Sequence, residues 1–159
     1  MKPISGNSYS VALPPNSFSR SGYTFTRWDT ATSGVTTSYT DSQTITLSYN
    51  LTAILYAIWT AQSQTITYNN NNGSGAISSQ TANTDASVAL NNGGSFTRSG
   101  YTLSRWDTSS AGTGTSYALG STISMPPGGA TLYAIWTANT DNAISWNDQT
   151  PTTASSGGS

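Results

Sequence analysis

In several short segments of the chain, apolar and polar residues alternate with a period of two, the pattern typical of β-strands. In "QTITYN" (64–69), Ile66 and Tyr68 project to the same face. In "LYAIWT" (132–137), apolar residues occupy both faces, which is typical of a central strand. Turns rich in Gly, Asn, Ser and Pro separate these runs. The pattern predicts a mostly β fold with mixed and antiparallel sheets.

The same strand pattern occurs twice. "RSGYTFTRWDT" (20–30) returns as "RSGYTLSRWDT" (98–108), and "ILYAIWTA" (54–61) returns as "TLYAIWTA" (131–138). Matches of this length in a fixed order identify a tandem duplication. Each copy therefore predicts one small β module.

The repeated phrase contains a break in the alternation. Tyr23 and Phe25 share one face, whereas Trp28 falls out of phase with them, and Trp106 does the same in the second copy. One extra residue in a strand produces such a slip, so we expect a β-bulge in both copies. The repeated Trp residues are expected to pack in the core.

Composition narrows the possible functions. The 159 residues include five Lys and Arg, six Asp and Glu, no His and no Cys, with 11% aromatic residues and a net charge of −1. A nearly neutral chain offers no basic surface for nucleic acid, and no apolar run is long enough for membrane insertion. Without His or Cys there is no ordinary base for neutral pH, no thiol nucleophile and no zinc site, so catalysis would have to rest on Asp pairs, Ser or Tyr. We expect no enzyme activity, no catalytic or metal site and no cofactor.

The duplication also predicts the domain boundaries. The second copy opens with the strand "TITYN", whereas only "MKPISGNSYS" precedes the matching part of the first copy. After the last "YAIWTA", a segment with Ile144 and Trp146 resembles that opening strand. We therefore expect a first module lacking its opening strand (1–61), a second module (62–138), an extra strand like the start of a further repeat (139–151) and a flexible tail or linker (152–159).

The extra strand has three interpretations. It marks a cut through a longer array, it belongs structurally to the preceding module, or it completes the first module of another molecule by strand exchange. The residues of this segment are Ala143, Ile144, Ser145, Trp146 and Asn147. Strand exchange would join molecules head to tail into filaments.

The paired motifs resemble the Listeria–Bacteroides repeat family, which includes the B-repeat of internalin B. The similarity rests on "GYTF" with Trp28, on "LYA" with Trp59, and on their counterparts "GYTL" with Trp106 and "LYA" with Trp136. The resemblance implies β-grasp-like modules in bacterial surface or secreted proteins, acting as spacers, stalks or adhesive units without catalytic residues. It also shows a departure, because Arg27 and Arg105 stand where the family usually has a small residue before Trp.

Six residues are candidates for contact with a ligand or partner. Arg27 with Asp29, and Arg105 with Asp107, can each bridge along one strand surface, where we expect them to be solvated. Tyr49 and Trp146 have no aromatic counterpart in the other copy, so we expect these rings to be exposed.

The leading functional hypothesis is a non-enzymatic structural or adhesive repeat at the bacterial cell surface or outside the cell. Its expected partner is another protein or a second copy. The alternative is a carbohydrate-binding module whose exposed aromatic rings stack on a cell-surface glycan. No apolar leader follows Met1 and Lys2, so we expect a mature piece or an excised fragment of a secreted protein.

Overall fold

The computed structural model describes residues 8–49 and 51–140, and it contains twelve strands and no helix within these ranges. The predicted mostly β fold with mixed and antiparallel sheets is confirmed. The β-grasp-like arrangement and the module boundaries stay predictions. The strands of the first copy are β1 (Ser8–Ala12), β2 (Tyr23–Asp29), β3 (Ser38–Tyr39), β4 (Thr44–Ser48) and β5 (Tyr56–Ala61). The strands of the second copy are β6 (Ser63–Asn69), β7 (Gln80–Asn83), β8 (Ser87–Ala89), β9 (Tyr101–Asp107), β10 (Ser116–Tyr117), β11 (Thr122–Ser124) and β12 (Ala130–Ala138).

Five strands of each copy pair in the same way. In the first copy β1 pairs with β4, and β2 lies between β3 and β5. In the second copy β8 pairs with β11, and β9 lies between β10 and β12. All of these pairs are antiparallel. The duplicated sequence therefore folds twice into the same antiparallel frame.

The second copy has two further strands in its sheet. Strand β6 pairs in parallel with β12, with Ile66 opposite Ala130 and Tyr68 opposite Leu132, and β7 pairs with the far side of β6. The strand order β10-β9-β12-β6-β7 makes β12 the central strand, as its apolar pattern predicts. Among the described residues of the first copy, β5 carries no such neighbour and ends the sheet.

A bulge interrupts the pairing at the same point in both copies. Phe25 lies opposite Trp59 and Arg27 opposite Ile58, so Thr26 is the extra residue of β2. In the second copy the extra residue is Ser104. The predicted bulge is confirmed, and it rotates the following Arg-Trp-Asp segment so that Trp and Asp point inward.

The two copies differ in how well their cores are closed. The second copy buries a continuous apolar cluster around Trp106, whose ring lies 4.7 Å from that of Tyr68. Phe96 belongs to this cluster and is 6% exposed, whereas its counterpart Phe18 is 62% exposed. Phe96 and Tyr68 line one hollow beside β6, a strand without a counterpart in the described part of the first copy. Within the described residues, the first core therefore lacks these neighbours and is open on this side.

Candidate functional site

The Arg-Trp-Asp segment of each copy ends in a buried aspartate. Asp29 and Asp107 are both 0% exposed, because the bulge and the loop after the strand enclose their side chains. This differs from the solvated pairs that the alternation alone predicts. A carboxylate is stable inside a protein only when donors surround it, and both loops supply such donors.

Asp107 is bonded through both carboxylate oxygens. Its Oδ1 accepts hydrogen bonds from the backbone N–H groups of Ser109 (2.8 Å) and Gly114 (2.9 Å). Its Oδ2 accepts a hydrogen bond from the Ser116 hydroxyl at 2.7 Å. The carboxylate thus ties together both ends of the loop that joins β9 to β10.

Asp29 is bonded through one oxygen. Its Oδ1 accepts hydrogen bonds from the backbone N–H of Ala31 (3.0 Å) and from the hydroxyl of Thr36, while its buried Oδ2 has no hydrogen-bond partner. The loop of the first copy is therefore held by fewer bonds.

These contacts shift the acidity of both groups in the same direction. The hydrogen bond from Thr36 lowers the pKa of Asp29 below its ordinary value of 3.8, and the Ala31 N–H adds to the effect. Burial tends to raise the pKa of Asp107, but the hydrogen bonds from Ser109, Ser116 and Gly114 outweigh it and the pKa is lowered. Both side chains are charged at neutral pH.

The arginine before each Trp holds the other side of the same loop. Arg27 Nη2 donates to the carbonyl of Gly34 at 2.7 Å, and Arg105 Nη2 donates to that of Gly112 at 3.2 Å. Arg105 Nε also lies 4.0 Å from Asp107 Oδ2. The repeated arginines thus have an observed structural role as loop anchors.

Several residues of this arrangement had not been singled out from the sequence. Gly34 and Gly112 have φ angles of 65° and 70°, a left-handed conformation that suits glycine and turns each carbonyl toward the arginine. Thr36 and Ser116 are the hydroxyl donors. The glycines recur at the offset of 78 residues between the copies, and that spacing is the signal that could have revealed them.

The aromatic candidates have different surroundings. Trp28 and Trp106 are buried as predicted, whereas Trp59 and Trp136 are only half-buried. Tyr49 is 57% exposed, and its ring meets that of Tyr9 edge-on at 5.9 Å. One exposed ring could stack on a sugar, and glycan binding stays a prediction.

The contact between the two copies is a site that sequence reasoning missed. The carbonyl of Gly22 accepts hydrogen bonds from the Gln62 N–H (2.8 Å) and from the Thr84 hydroxyl (2.8 Å). The hydroxyl of Tyr23 donates to Asp85 Oδ2 at 2.5 Å, which raises the pKa of Tyr23. The turn that begins the repeated phrase therefore docks on the second copy.

The structure does not test a ligand or partner role for the other candidate residues. The segment Ala143, Ile144, Ser145, Trp146 and Asn147 lies outside the described residues. A partner or ligand role for Arg27, Asp29, Arg105 and Asp107 stays a prediction. Within residues 8–49 and 51–140, no group of three or more acidic, His or Cys side chains is placed to hold a metal ion. No helix in the same ranges is long and apolar enough to cross a membrane.

The fold and the repeated loops define a tandem β-repeat protein. Residues 5–58 and 65–135 each match the Listeria-Bacteroides repeat domain. The chain therefore belongs to the Listeria-Bacteroides repeat family, as its paired motifs predict. Repeats of this family occur in surface proteins and are a non-catalytic type of module.

A bacterial protein is similar to the chain over most of the chain's length. A protein of Evansella cellulosilytica named "Putative Gly-rich membrane protein" is 31% identical over 126 residues, which cover 76% of this chain. The chain spans 15% of that relative's length. No solved structure is significantly similar to the chain.

Proposed function

We propose that this chain is a non-enzymatic structural segment of a bacterial cell-surface protein, a stalk that joins end to end with other copies by strand exchange. The observation that carries the proposal is the edge of β5. In the second copy the corresponding edge, on β12, is occupied by the parallel strand β6. Among the described residues of the first copy, no strand covers it.

The exposure of the side chains near this edge supports the proposal that a further strand can bind there. Leu132 is fully buried between β6 and the core, whereas its counterpart Leu55 is only half-buried. An open, mostly apolar hollow lies beside the start of β5, lined by Thr30, Leu51, Thr52, Ala53, Ile54 and Tyr56. An uncovered edge next to apolar surface is a place where another strand can add, because backbone donors and acceptors and apolar area are all available.

We propose that the occupant is residues 143–147 of a second copy. By analogy with Ile66 and Tyr68, the apolar residues Ile144 and Trp146 would enter the open core, and Ser145 would face solvent as Thr67 does. The register of β6 on β12 would put Ile144 opposite Ala53 and Trp146 opposite Leu55. Because donor strand and acceptor edge are different surfaces, each copy could bind the next, giving a head-to-tail filament.

Light scattering after size-exclusion chromatography tests the assembly. The molar mass of the full chain should rise with protein concentration, and a chain lacking residues 141–159 should remain a monomer. This deletion keeps Asn139, which bonds to Gly100 in the described structure.

Point variants separate specific exchange from non-specific adhesion. Ile144→Asp and Trp146→Asp should each abolish the rise in mass, since a charge would enter an apolar site. Ser145→Asp, on the opposite face, is the matched control and should assemble like the native chain. A native chain that stays monomeric at the highest concentration reached, or a deletion variant that still assembles, would refute strand exchange.

A further inference from the structure

The turn at Gly22, at the start of the repeated phrase, packs closely against the second copy, and we call this contact between the copies the joint. A Cβ atom added at Gly22 would lie 2.6 Å from the Thr84 hydroxyl oxygen and 2.8 Å from the Cβ of Pro127. Only a residue without a side chain leaves room for this approach. Thr84 is itself buried, so the joint excludes water at its centre.

Two charged side chains surround this joint. The guanidinium of Arg20 lies 3.7 Å from the centre of the Tyr23 ring and 3.8 Å from Asp85 Oδ2. The same carboxylate oxygen accepts the hydrogen bond from Tyr23. Arg20, Gly22 and Tyr23 thus form one side of the joint, while Thr84, Asp85 and Pro127 form the other.

The second copy repeats the first side of this joint. The guanidinium of Arg98 lies 3.9 Å from the centre of the Tyr101 ring, as Arg20 lies over Tyr23. The Asn139 N–H donates to the Gly100 carbonyl at 2.9 Å, as the Gln62 N–H donates to that of Gly22. The surface is therefore preformed in the same geometry.

No described residue covers the second surface. A Cβ added at Gly100 would meet no atom within 4 Å, and Tyr101 is 38% exposed. Its hydroxyl has no counterpart of the bond to Asp85 among residues 8–49 and 51–140. The side of the joint formed by Arg, Gly and Tyr therefore occurs twice, whereas the side formed by Thr84, Asp85 and Pro127 occurs once among the described residues.

We infer that Arg98, Gly100 and Tyr101 are a docking surface for a further repeat of this family, one that presents a threonine and an aspartate as Thr84 and Asp85 do. The surface would continue the joint already formed, since the identical Arg-Ser-Gly-Tyr turn at residues 20–23 binds that complement within the chain. The aspartate would accept a hydrogen bond from Tyr101 and face the charge of Arg98. This inference rests on the stalk function but not on strand exchange.

Two glycine substitutions provide a matched test in the native chain. Gly22 and Gly100 have φ angles of 77° and 76°, so alanine causes the same backbone strain at both positions. Gly22→Ala also displaces Thr84 and Pro127, so it should lower the Tm clearly more than Gly100→Ala does.

An extended chain tests the inference directly. In the full chain with residues 62–138 inserted once more after Ala138, the new repeat supplies a second copy of Thr84, Asp85 and Pro127. Gly100→Ala should now lower the Tm of the extended chain as much as Gly22→Ala does. If Gly100→Ala is as mild there as in the native chain, the docking surface is refuted.

Tyrosine variants provide a second readout that does not depend on backbone strain. Tyr101→Phe should leave the Tm of the native chain unchanged and should lower the Tm of the extended chain. Tyr23→Phe should lower the Tm of both chains, because the Tyr23 hydroxyl bonds to Asp85 in each of them. An unchanged Tm in the extended chain would overturn the inference even if the glycine variants failed to fold. All these contacts form within one polypeptide, so a strictly monomeric native chain would refute strand exchange and leave this test intact.

Discussion

At the scale of single residues, Phe18 and Phe96 have the same packing geometry on a Trp ring but differ in burial. Each ring meets the Trp of its own copy edge-on, Phe18 on Trp28 at 5.9 Å and Phe96 on Trp106 at 5.8 Å, with the same interplanar angle of 74°. Their exposure differs about tenfold, at 62% and 6%. The aromatic pair is therefore a property of the local sequence, whereas burial depends on strands from more distant parts of the chain, such as β6 beside Phe96.

This difference predicts unequal costs of truncation. Phe96→Ala should lower the free energy of unfolding by about 3–5 kcal/mol, because it leaves a cavity in a closed core. Phe18→Ala should cost about 1 kcal/mol, the value of an aromatic contact with little burial. Urea denaturation followed by tryptophan fluorescence measures both. An equal cost for the two variants would mean that the face around Phe18 is covered in solution.

The buried aspartates predict a loss of stability in acid. Both pKa values are lower in the folded chain than the ordinary value of 3.8, so the unfolded chain binds protons first as the pH falls. The stabilisation is complete above that value and is lost as the pH falls through the folded values. The urea midpoint should therefore be flat near neutral pH and decline below about pH 4.

Substitution of Asp107 identifies the source of this decline. Asp107→Asn keeps an oxygen for Ser109 and Gly114 but removes the titrating group, so the decline should become shallower. Ser116→Ala removes one of the donors to Asp107 and should have a smaller effect of the same kind. Parallel pH profiles for the native chain and Asp107→Asn would contradict this assignment.

At the scale of elements, β5 and β12 show how one sequence occupies two positions in a sheet. Strand β5 has the sequence "YAIWTA" directly after Leu55, and β12 contains the same six residues directly after Leu132. Both strands pair with the bulged strand of their own copy. The alternation correctly predicts a central strand for β12. It could not predict an edge strand for β5 in the described structure, because the neighbour of β12 comes from a segment more than sixty residues earlier in the chain.

Hydrogen exchange should detect this difference. In β12 the backbone from Ala130 to Tyr133 pairs with β6, whereas no described strand takes the place of β6 beside the corresponding residues 53–56. At low protein concentration, peptides covering 51–58 should therefore exchange faster than peptides covering 128–135. Peptides from β2 and β9, which pair alike in both copies, are the control. Equal protection of the two test regions would contradict an open edge.

At the scale of the whole molecule, two different surfaces could extend the chain into a longer assembly. The edge of β5 offers backbone groups and apolar area for a strand from another copy. The turn of Arg98, Gly100 and Tyr101 offers a polar joint for a repeat in the same polypeptide. Strand exchange would lengthen a filament of separate chains, whereas the joint would fix the angle between successive repeats. The relative of which this chain spans 15% is long enough to contain additional repeats.

The sequence by itself determined the duplication, the β class, the family and the shared bulge, because strand alternation and its interruption are local properties of the chain. Only the tertiary structure decided that Asp29 and Asp107 are buried, that Arg27 and Arg105 anchor loops, and that the turn at Gly22 is a joint. The contact between Tyr23 and Asp85 joins residues 62 positions apart. Such contacts depend on how two folded copies pack, and no local pattern of apolar and polar residues encodes that distance.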